Sequence, residues 1–177
     1  VRDDGSSDCT TCILEEYARK GKLVWKKGDN LGTALSFLSL LHDNPGYDFY
    51  AFSDQDDYWY RDKLNVGIKK IEKISKPMLY FGNSTYVDEK LSLLGERSYK
   101  RFINTDFHSV LMAPCFLGCT MVFNDLLARI VQRKPLPKKV TMHDAYISKV
   151  CMAMGGKIVY DSTVHMMYRQ HDRNVIG

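Results

Sequence analysis

The sequence lacks the long apolar run that a membrane-spanning helix requires. Its longest nearly uncharged stretch, residues 110–123, has about fourteen residues and includes a proline and a glycine, whereas a span needs roughly twenty apolar residues. The chain also begins without methionine and without the basic, then apolar, pattern of a signal peptide. We therefore predict no transmembrane helix, no secretory route and a cytoplasmic location.

Cysteine is sparse and odd in number, with five residues in 177. A secreted disulfide scaffold would carry a denser and even set, so the count favours a reducing compartment. Cys9 and Cys12 form a C-x-x-C pair at a predicted helix start. A zinc site shared with Cys115 and Cys119 is an alternative, which their loose spacing does not favour.

The most common nucleotide-binding and hydrolase motifs are absent. The sequence contains no Walker A loop, no G-x-G-x-x-G, no H-E-x-x-H and no G-x-S-x-G. The net charge is only +4, and the basic pairs are scattered along the chain. No nucleic-acid partner is therefore predicted.

The apolar residues that are present alternate between helical and strand-like patterns. The patterns predict helices at residues 9–21, 33–43, 61–74, 125–134 and 142–156, and strands at 22–27, 47–53, 76–83, 116–124, 157–161 and 164–171. Residues 84–109 are less regular and indicate a short hairpin with loop. This alternation predicts one α/β domain over residues 1–177, with a mixed, mostly parallel sheet flanked by helices.

The predicted start of the chain is incomplete for a fold of this class. A parallel α/β unit begins with a strand, but here only Val1 and Arg2 precede the first loop and helix. We therefore expect the first βα unit to be missing.

The predicted strand at residues 47–53 ends in three carboxylates, Asp54, Asp56 and Asp57. Clustered carboxylates raise one another's pKa unless a cation neutralises them, and oxygen ligands suit Mg²⁺ or Mn²⁺. An acidic, capped helix N-terminus is the alternative. An EF-hand is excluded, because its glycine and glutamate positions hold Trp59 and Asn65.

Other strand ends and one helix start carry polar residues as well. Ligands of open α/β sheets bind at the carboxyl edge of the strands, where Asp3 and Asp4, and also Gly82 and Asn83, are expected. Asp144 stands at a predicted helix start. It is either a helix N-cap or a general base that deprotonates a hydroxyl within hydrogen-bond reach.

Six segments in this order resemble a family 2 glycosyltransferase of the GT-A fold, in particular the bacterial rhamnosyltransferases. They are VRDDGSSD, GDNLG, FSDQDDYWYRDKL, GCTMVFN, HDAYISKVCMAMGGKIVYD and YRQHDRNVIG. The resemblance covers nearly the whole chain. It implies an inverting, metal-dependent enzyme that moves a sugar, by this subgroup rhamnose, from a nucleotide-sugar to a glycan in cell-surface polysaccharide synthesis. The family's opening strand and helix have no counterpart, which implies an N-terminally truncated catalytic domain.

The resemblance also implies which residues bind the nucleotide-sugar donor. Asp3 or Asp4 would hydrogen-bond the pyrimidine base. Asp54 and Asp56, with Asp57 close behind, would form the D-x-D group that holds the ribose and the metal bridging the diphosphate.

Four further residues match positions near the reacting sugar. Gly118 and Cys119 match a segment beside the acceptor and the donor sugar. Asp144 matches the catalytic base. His171 matches a C-terminal position that reaches the metal, so the implied metal ligands are Asp56, Asp57 and His171.

The implied partners are a dTDP-rhamnose or UDP-sugar donor and a glycan or lipid-linked acceptor. Such acceptors are often assembled at the inner membrane face, where the basic pairs would assist peripheral contact. Two other functions compete with this reading. One is a haloacid dehalogenase-type phosphatase, because an apolar strand followed by D-x-D superficially fits it. The other is a non-catalytic nucleotide-binding remnant.

Overall fold

Helices and strands alternate along the chain, which the computed structural model describes over residues 1–100, 103–112 and 116–171. The helices are α1 (Thr10–Arg19), α2 (Thr33–Asp43), α3 (Lys63–Ile71), α4 (Phe107–Met112), α5 (Asp125–Gln132) and α6 (His143–Ala153). The strands are β1 (Arg2–Asp3), β2 (Lys26–Lys27), β3 (Phe49–Ala51), β4 (Tyr58–Trp59), β5 (Met78–Val87), β6 (Leu93–Arg97), β7 (Met121–Asn124) and β8 (Lys157–Arg169). None of these helices is long and apolar enough to cross a membrane.

The described strands form a mixed six-stranded sheet and a separate parallel pair, β1 with β2. The large sheet has the order β3-β7-β5-β8-β4, and β6 pairs with β5. The α/β class with a mixed sheet and flanking helices is confirmed. The expected predominance of parallel pairs is not met among these strands, because β7 runs antiparallel to β3 and β5, and β4 and β6 are antiparallel to their neighbours.

Several predicted boundaries match the structure, and others differ for identifiable reasons. Helix α2 has the predicted bounds. The two strands predicted near the end of the chain are one strand, β8, which pairs in parallel with β5. Gly82 pairs with Asp161, whereas Asn83 pairs with Val164, so a bulge lies where the sequence indicated a break.

The core is divided between the two faces of the large sheet. In β5, alternate side chains point to opposite faces. Leu79 and Phe81 pack with residues of α2, α5 and α6, whereas Met78 and Tyr80 pack with Ile71 of α3. These flanking helices hold the ends of the strands in place. That the domain comprises all of residues 1–177 stays a prediction.

Asn83 was expected at the edge of the sheet but lies within β5. Its side-chain amide donates to the Tyr99 carbonyl at 2.9 Å, and its side-chain oxygen accepts from the Tyr99 N–H at 3.0 Å. The side chain therefore holds the segment after β6 against β5. Gly82 also lies inside β5. Gly82 and Asn83 therefore have a structural role within the strand.

Asn124 joins three segments at the junction of β7 and α5. It is buried, and its side-chain oxygen accepts from the backbone N–H groups of Met78 at 3.0 Å and Leu127 at 3.2 Å. Its amide nitrogen donates to the Lys76 carbonyl at 2.8 Å. One side chain thus caps α5 and fixes the start of β5.

We predict that Asn124→Ala lowers the free energy of unfolding by about 3 kcal/mol, because buried backbone groups lose their partners and α5 loses its cap. The matched control is Asn44→Ala, which removes one exposed bond to the Leu40 carbonyl and should cost less than about 1 kcal/mol. Urea titrations measure both variants. Equal losses would show that Asn124 does not join the segments as described.

Candidate functional site

One pocket, called the central pocket here, collects side chains from four separate motifs. Its lining includes Asp54, Asp56, Gly118, Cys119, Asp144 and His171. The first two follow β3, the next two form a 3₁₀ turn before β7, Asp144 lies in the first turn of α6, and His171 follows β8. The fold therefore brings together most of the residues that the sequence analysis assigned to a donor site.

The acidic residues after β3 are crowded and only partly compensated. Carboxylate oxygens of Asp54 and Asp57 and the sulfur of Cys119 lie within 4.8 Å of one another. Burial, and then the charges of Asp57, Asp56 and Asp144, raise the pKa of Asp54 to about 6. Burial is also the main reason that the pKa of Asp57 is raised. The loop thus holds negative charge at a cost to the folded state.

The end of β8 holds this acidic loop in place. The backbone N–H of Arg169 donates to Asp57 Oδ1 at 3.1 Å, and Arg169 Nε donates to the Asp56 carbonyl at 2.8 Å. His171 Nε2 lies 2.7 Å from Asp56 Oδ2. Of the three side chains assigned to a metal, Asp56 therefore pairs with His171, whereas Asp57 is held by Arg169 and groups with Asp54 and Cys119.

The donor atoms in this cluster suit a hard divalent cation. Asp57 Oδ2 is buried and has no hydrogen-bond partner in the described part of the chain. Carboxylate oxygens of this kind are preferred by Mg²⁺ and Mn²⁺. Burial and the neighbouring carboxylates raise the pKa of Cys119 well above its usual value when no metal is bound. The metal assignment stays a prediction.

Lys63 stands behind the acidic loop and was not identified from the sequence. Its side chain is buried, with Nζ 3.3 Å from the centre of the Trp59 ring and no hydrogen-bond acceptor among the described residues. Burial lowers the pKa of Lys63 to about 8, while Cys119, Asp57 and Asp54 act in the opposite direction. Trp59 lies in β4 and Lys63 begins α3, so no helical spacing predicts their contact, and the burial of the lysine follows only from tertiary packing.

Asp144 is placed for hydrogen bonding by two backbone groups. Its Oδ2 accepts from the Gly118 N–H at 3.2 Å, and its Oδ1 accepts from the Ala145 N–H at 2.6 Å. Burial raises the pKa of Asp144, with 8% of the residue exposed. The N-cap of α6 is Met142, so the capping interpretation of Asp144 is wrong. The acidic loop is not a helix cap either, because the N-cap of α3 is Asp62.

Asp3 and Asp4 do not line the central pocket. Asp3 is buried and accepts from the backbone N–H groups of Gly5 and Ser6, and its bond with the Ser6 hydroxyl is the main reason that its pKa is lowered. Asp4 pairs with Arg2 and accepts from the Ser36 hydroxyl. Both carboxylates thus organise the loop after β1, and their role in binding a base stays a prediction.

The cysteines do not assemble a zinc site in the described part of the chain. Cys9 and Cys12 are exposed at the start of α1, whereas Cys119 is buried in the central pocket. The grouping found there joins Cys119 to Asp54 and Asp57 instead. Cys115 lies outside the described residues.

Sequence comparison finds a named transferase among the proteins similar to this chain. The sequence matches no protein-family model. It is 25% identical to the dTDP-rhamnosyl transferase RfbG of Shigella flexneri over an alignment of 199 residues. The alignment covers 100% of this chain and 64% of RfbG. The chain therefore spans less than two thirds of the length of that relative.

Two solved structures share the fold. One is residues 1–349 of TarS from S. aureus, with a TM-score of 0.62, 18% identity, and coverage of 96% of this chain and 50% of that one. TarS also matches as its complex with UDP. The other is the mannosyltransferase PcManGT from Pyrobaculum calidifontis in complex with GDP-Man and Mn²⁺, with a TM-score of 0.60, 19% identity, and coverage of 98% and 48%. At these identities the likeness establishes the fold.

We predict that Asp54→Asn stabilises the metal-free protein by about 2 kcal/mol at pH 7.5, where Asp54 is ionised in both states but ionisation is costlier in the folded one. This gain in the free energy of unfolding should shrink as the pH falls below about 6, because Asp54 of the folded protein then takes up a proton. It should vanish at the lower pH at which Asp54 of the unfolded chain is protonated too. Urea unfolding in EDTA at a series of pH values measures this.

The matched control for this experiment is Asp48→Asn, which removes one exposed carboxylate outside the central pocket. An equal gain in both variants would show that the effect comes from net charge and not from crowding around Asp54.

Proposed function

We propose that this chain, which has the GT-A glycosyltransferase fold, transfers a sugar from a nucleotide-sugar donor to a hydroxyl of a glycan acceptor. The observation that carries the proposal is that the acidic loop and Asp144 line the same pocket. The matched proteins support it, since one is named a dTDP-rhamnosyl transferase and others are solved with UDP or with GDP-Man and Mn²⁺. Rhamnose as the sugar and cell-surface polysaccharide as the product rest on the Shigella relative and on the sequence resemblance.

The donor half of the site is the acidic loop with the end of β8. Asp56, Asp57 and His171 would hold Mg²⁺ or Mn²⁺, and Asp54 would contact the ribose. A bound divalent ion would supply positive charge that stabilises the departing nucleotide diphosphate. The bonds from Arg169 to Asp56 and Asp57 keep the loop in one arrangement before any ligand arrives.

The acceptor half of the site is Asp144. The Gly118 N–H fixes one oxygen of this carboxylate, and the raised pKa makes it a stronger base than an exposed aspartate. Asp144 would take the proton of the acceptor hydroxyl as that oxygen bonds the anomeric carbon and the bond to the diphosphate breaks. A single displacement of this kind inverts the anomeric centre.

The acceptor in this proposal is a glycan or a lipid-linked glycan, and the enzyme works in the cytoplasm. Lys26 and Lys27 in β2 and Lys138 and Lys139 after α5 are exposed. Such basic pairs favour peripheral contact with the anionic inner face of a membrane.

The fold argues against one of the two alternative functions and is compatible with the other. A haloacid dehalogenase-type phosphatase requires another fold, whereas the structures matched here are glycosyltransferases. A non-catalytic remnant that binds nucleotide has the same fold and the same pocket. Binding and turnover measurements on the full chain separate it from an active enzyme.

We predict that dTDP or UDP binds the full chain only when Mn²⁺ is present. His171→Ala should weaken Mn²⁺ binding by at least about tenfold, because the metal loses a proposed ligand and Asp56 loses the group that orients it. The matched control is His42→Ala, a change at the end of α2 outside the pocket, which should leave Mn²⁺ affinity unchanged. Isothermal titration calorimetry measures all three proteins. Metal-independent nucleotide binding would contradict the metal assignment.

We predict that Asp144→Asn lowers the rate of sugar transfer by roughly 10²–10⁴-fold and leaves Mn²⁺-dependent nucleotide binding intact, because only proton removal is lost. Asp125→Asn changes an aspartate in the first turn of another helix, outside the pocket, and should transfer sugar at the original rate. Release of nucleotide diphosphate reports the rate. A fully active Asp144→Asn protein would exclude this residue as the base, and no turnover by the unaltered chain with any donor would favour the remnant.

A further inference from the structure

His143 is a buried side chain whose hydrogen-bonding groups are unmatched. It is the first residue of α6 and is 4% exposed. The ring stacks on Phe37 at 4.3 Å between centroids and meets Phe52 edge-on at 4.8 Å. Neither Nδ1 nor Nε2 has a hydrogen-bond partner within the described ranges.

The ring of His143 is neutral near pH 7, because burial lowers its pKa to about 4. A neutral imidazole carries one N–H donor and one acceptor nitrogen. Burying this donor and this acceptor without hydrogen-bond partners destabilises the folded state. A phenylalanine would pack against the same two aromatic rings without burying a polar group. Packing with Phe37 and Phe52 therefore does not account for a histidine at this position.

The ring lies on the wall of the central pocket. His143 and Phe37 both line the pocket, together with Gly118. A Cβ atom on Gly118 would collide with His143 Nε2, so only glycine lets this buried ring nitrogen pack against the 3₁₀ turn that lines the pocket. The Gly118 N–H also binds Asp144, which places the unmatched imidazole beside the proposed base.

We propose that His143 hydrogen-bonds a hydroxyl group of the transferred sugar. The acidic loop, His143 and Asp144 line the same pocket. A sugar that extends from a diphosphate at the acidic loop to Asp144 would therefore lie along the part of the pocket wall that His143 forms. A hydroxyl both donates and accepts a hydrogen bond, so it satisfies whichever ring nitrogen it meets. His143 then determines which sugars fit, since a site built to bond a hydroxyl rejects analogues that lack it. This inference rests on the proposed function.

The test compares nucleotide with nucleotide-sugar, so that the sugar's share of binding is isolated. Calorimetry with Mn²⁺ would measure dTDP and dTDP-L-rhamnose, and also UDP and UDP-glucose, on the unaltered full chain and on His143→Phe. We expect nucleotide affinity to be the same in both proteins, whereas the gain in affinity from the sugar falls about tenfold in His143→Phe. His143→Gln, which keeps a donor and an acceptor, should recover part of that gain.

The outcomes distinguish this inference from the function on which it rests. If neither nucleotide binds the unaltered chain with Mn²⁺, the proposed function fails. If nucleotides bind and the sugar adds the same affinity in His143→Phe, the assignment of His143 is wrong. A change confined to the KM for the acceptor would also overturn it, since the hydroxyl would then belong to the acceptor.

A second measurement does not depend on a variant that folds. In the ¹⁵N spectrum of the unaltered chain, the His143 ring nitrogens should shift on addition of the nucleotide-sugar and not on addition of the nucleotide alone. Unshifted ring nitrogens with bound nucleotide-sugar would show that the histidine has a purely structural role.

Discussion

The repulsion among partly buried carboxylates after β3 is the constraint on which the rest of the site depends. Asp54, Asp56 and Asp57 would separate if nothing held them, and the end of β8 supplies bonds that prevent it. That strand reaches the loop because it pairs with β5 on one side and β4 on the other. The strand order of the large sheet therefore keeps the negative charges of these three residues together in the loop after β3.

Several groups that lower the stability of the fold lie in the central pocket or directly behind its acidic loop. Asp54 is crowded by like charges, Lys63 is a buried cation without a hydrogen-bond acceptor in the described part of the chain, and His143 has two unmatched ring nitrogens there. A stable core would avoid all three. Their concentration around one cavity is typical of a site that is completed by its ligands, because functional sites often break the rules that the remaining fold obeys.

The sequence predicted local features better than pairing between distant segments. Helix α2 had the predicted bounds because its apolar spacing is a local pattern. The direction of β7 depends on its partners β3 and β5, which no local pattern encodes. The resemblance identified residues that the fold brings into one pocket, but burial of Lys63 and His143 comes from tertiary packing. Strand β4 is too short to give a periodic signal.

The bulge in β8 separates the pairing of this strand from the number of its residues. Ser162 and Thr163 lie between Asp161, the partner of Gly82, and Val164, the partner of Asn83. The two residues therefore add length to β8 without advancing its register along β5. Removing both would join Asp161 directly to Val164 and leave the later pairs with β5 unchanged. A change of length at this bulge would thus be absorbed locally, and His171 would keep its place beside Asp56.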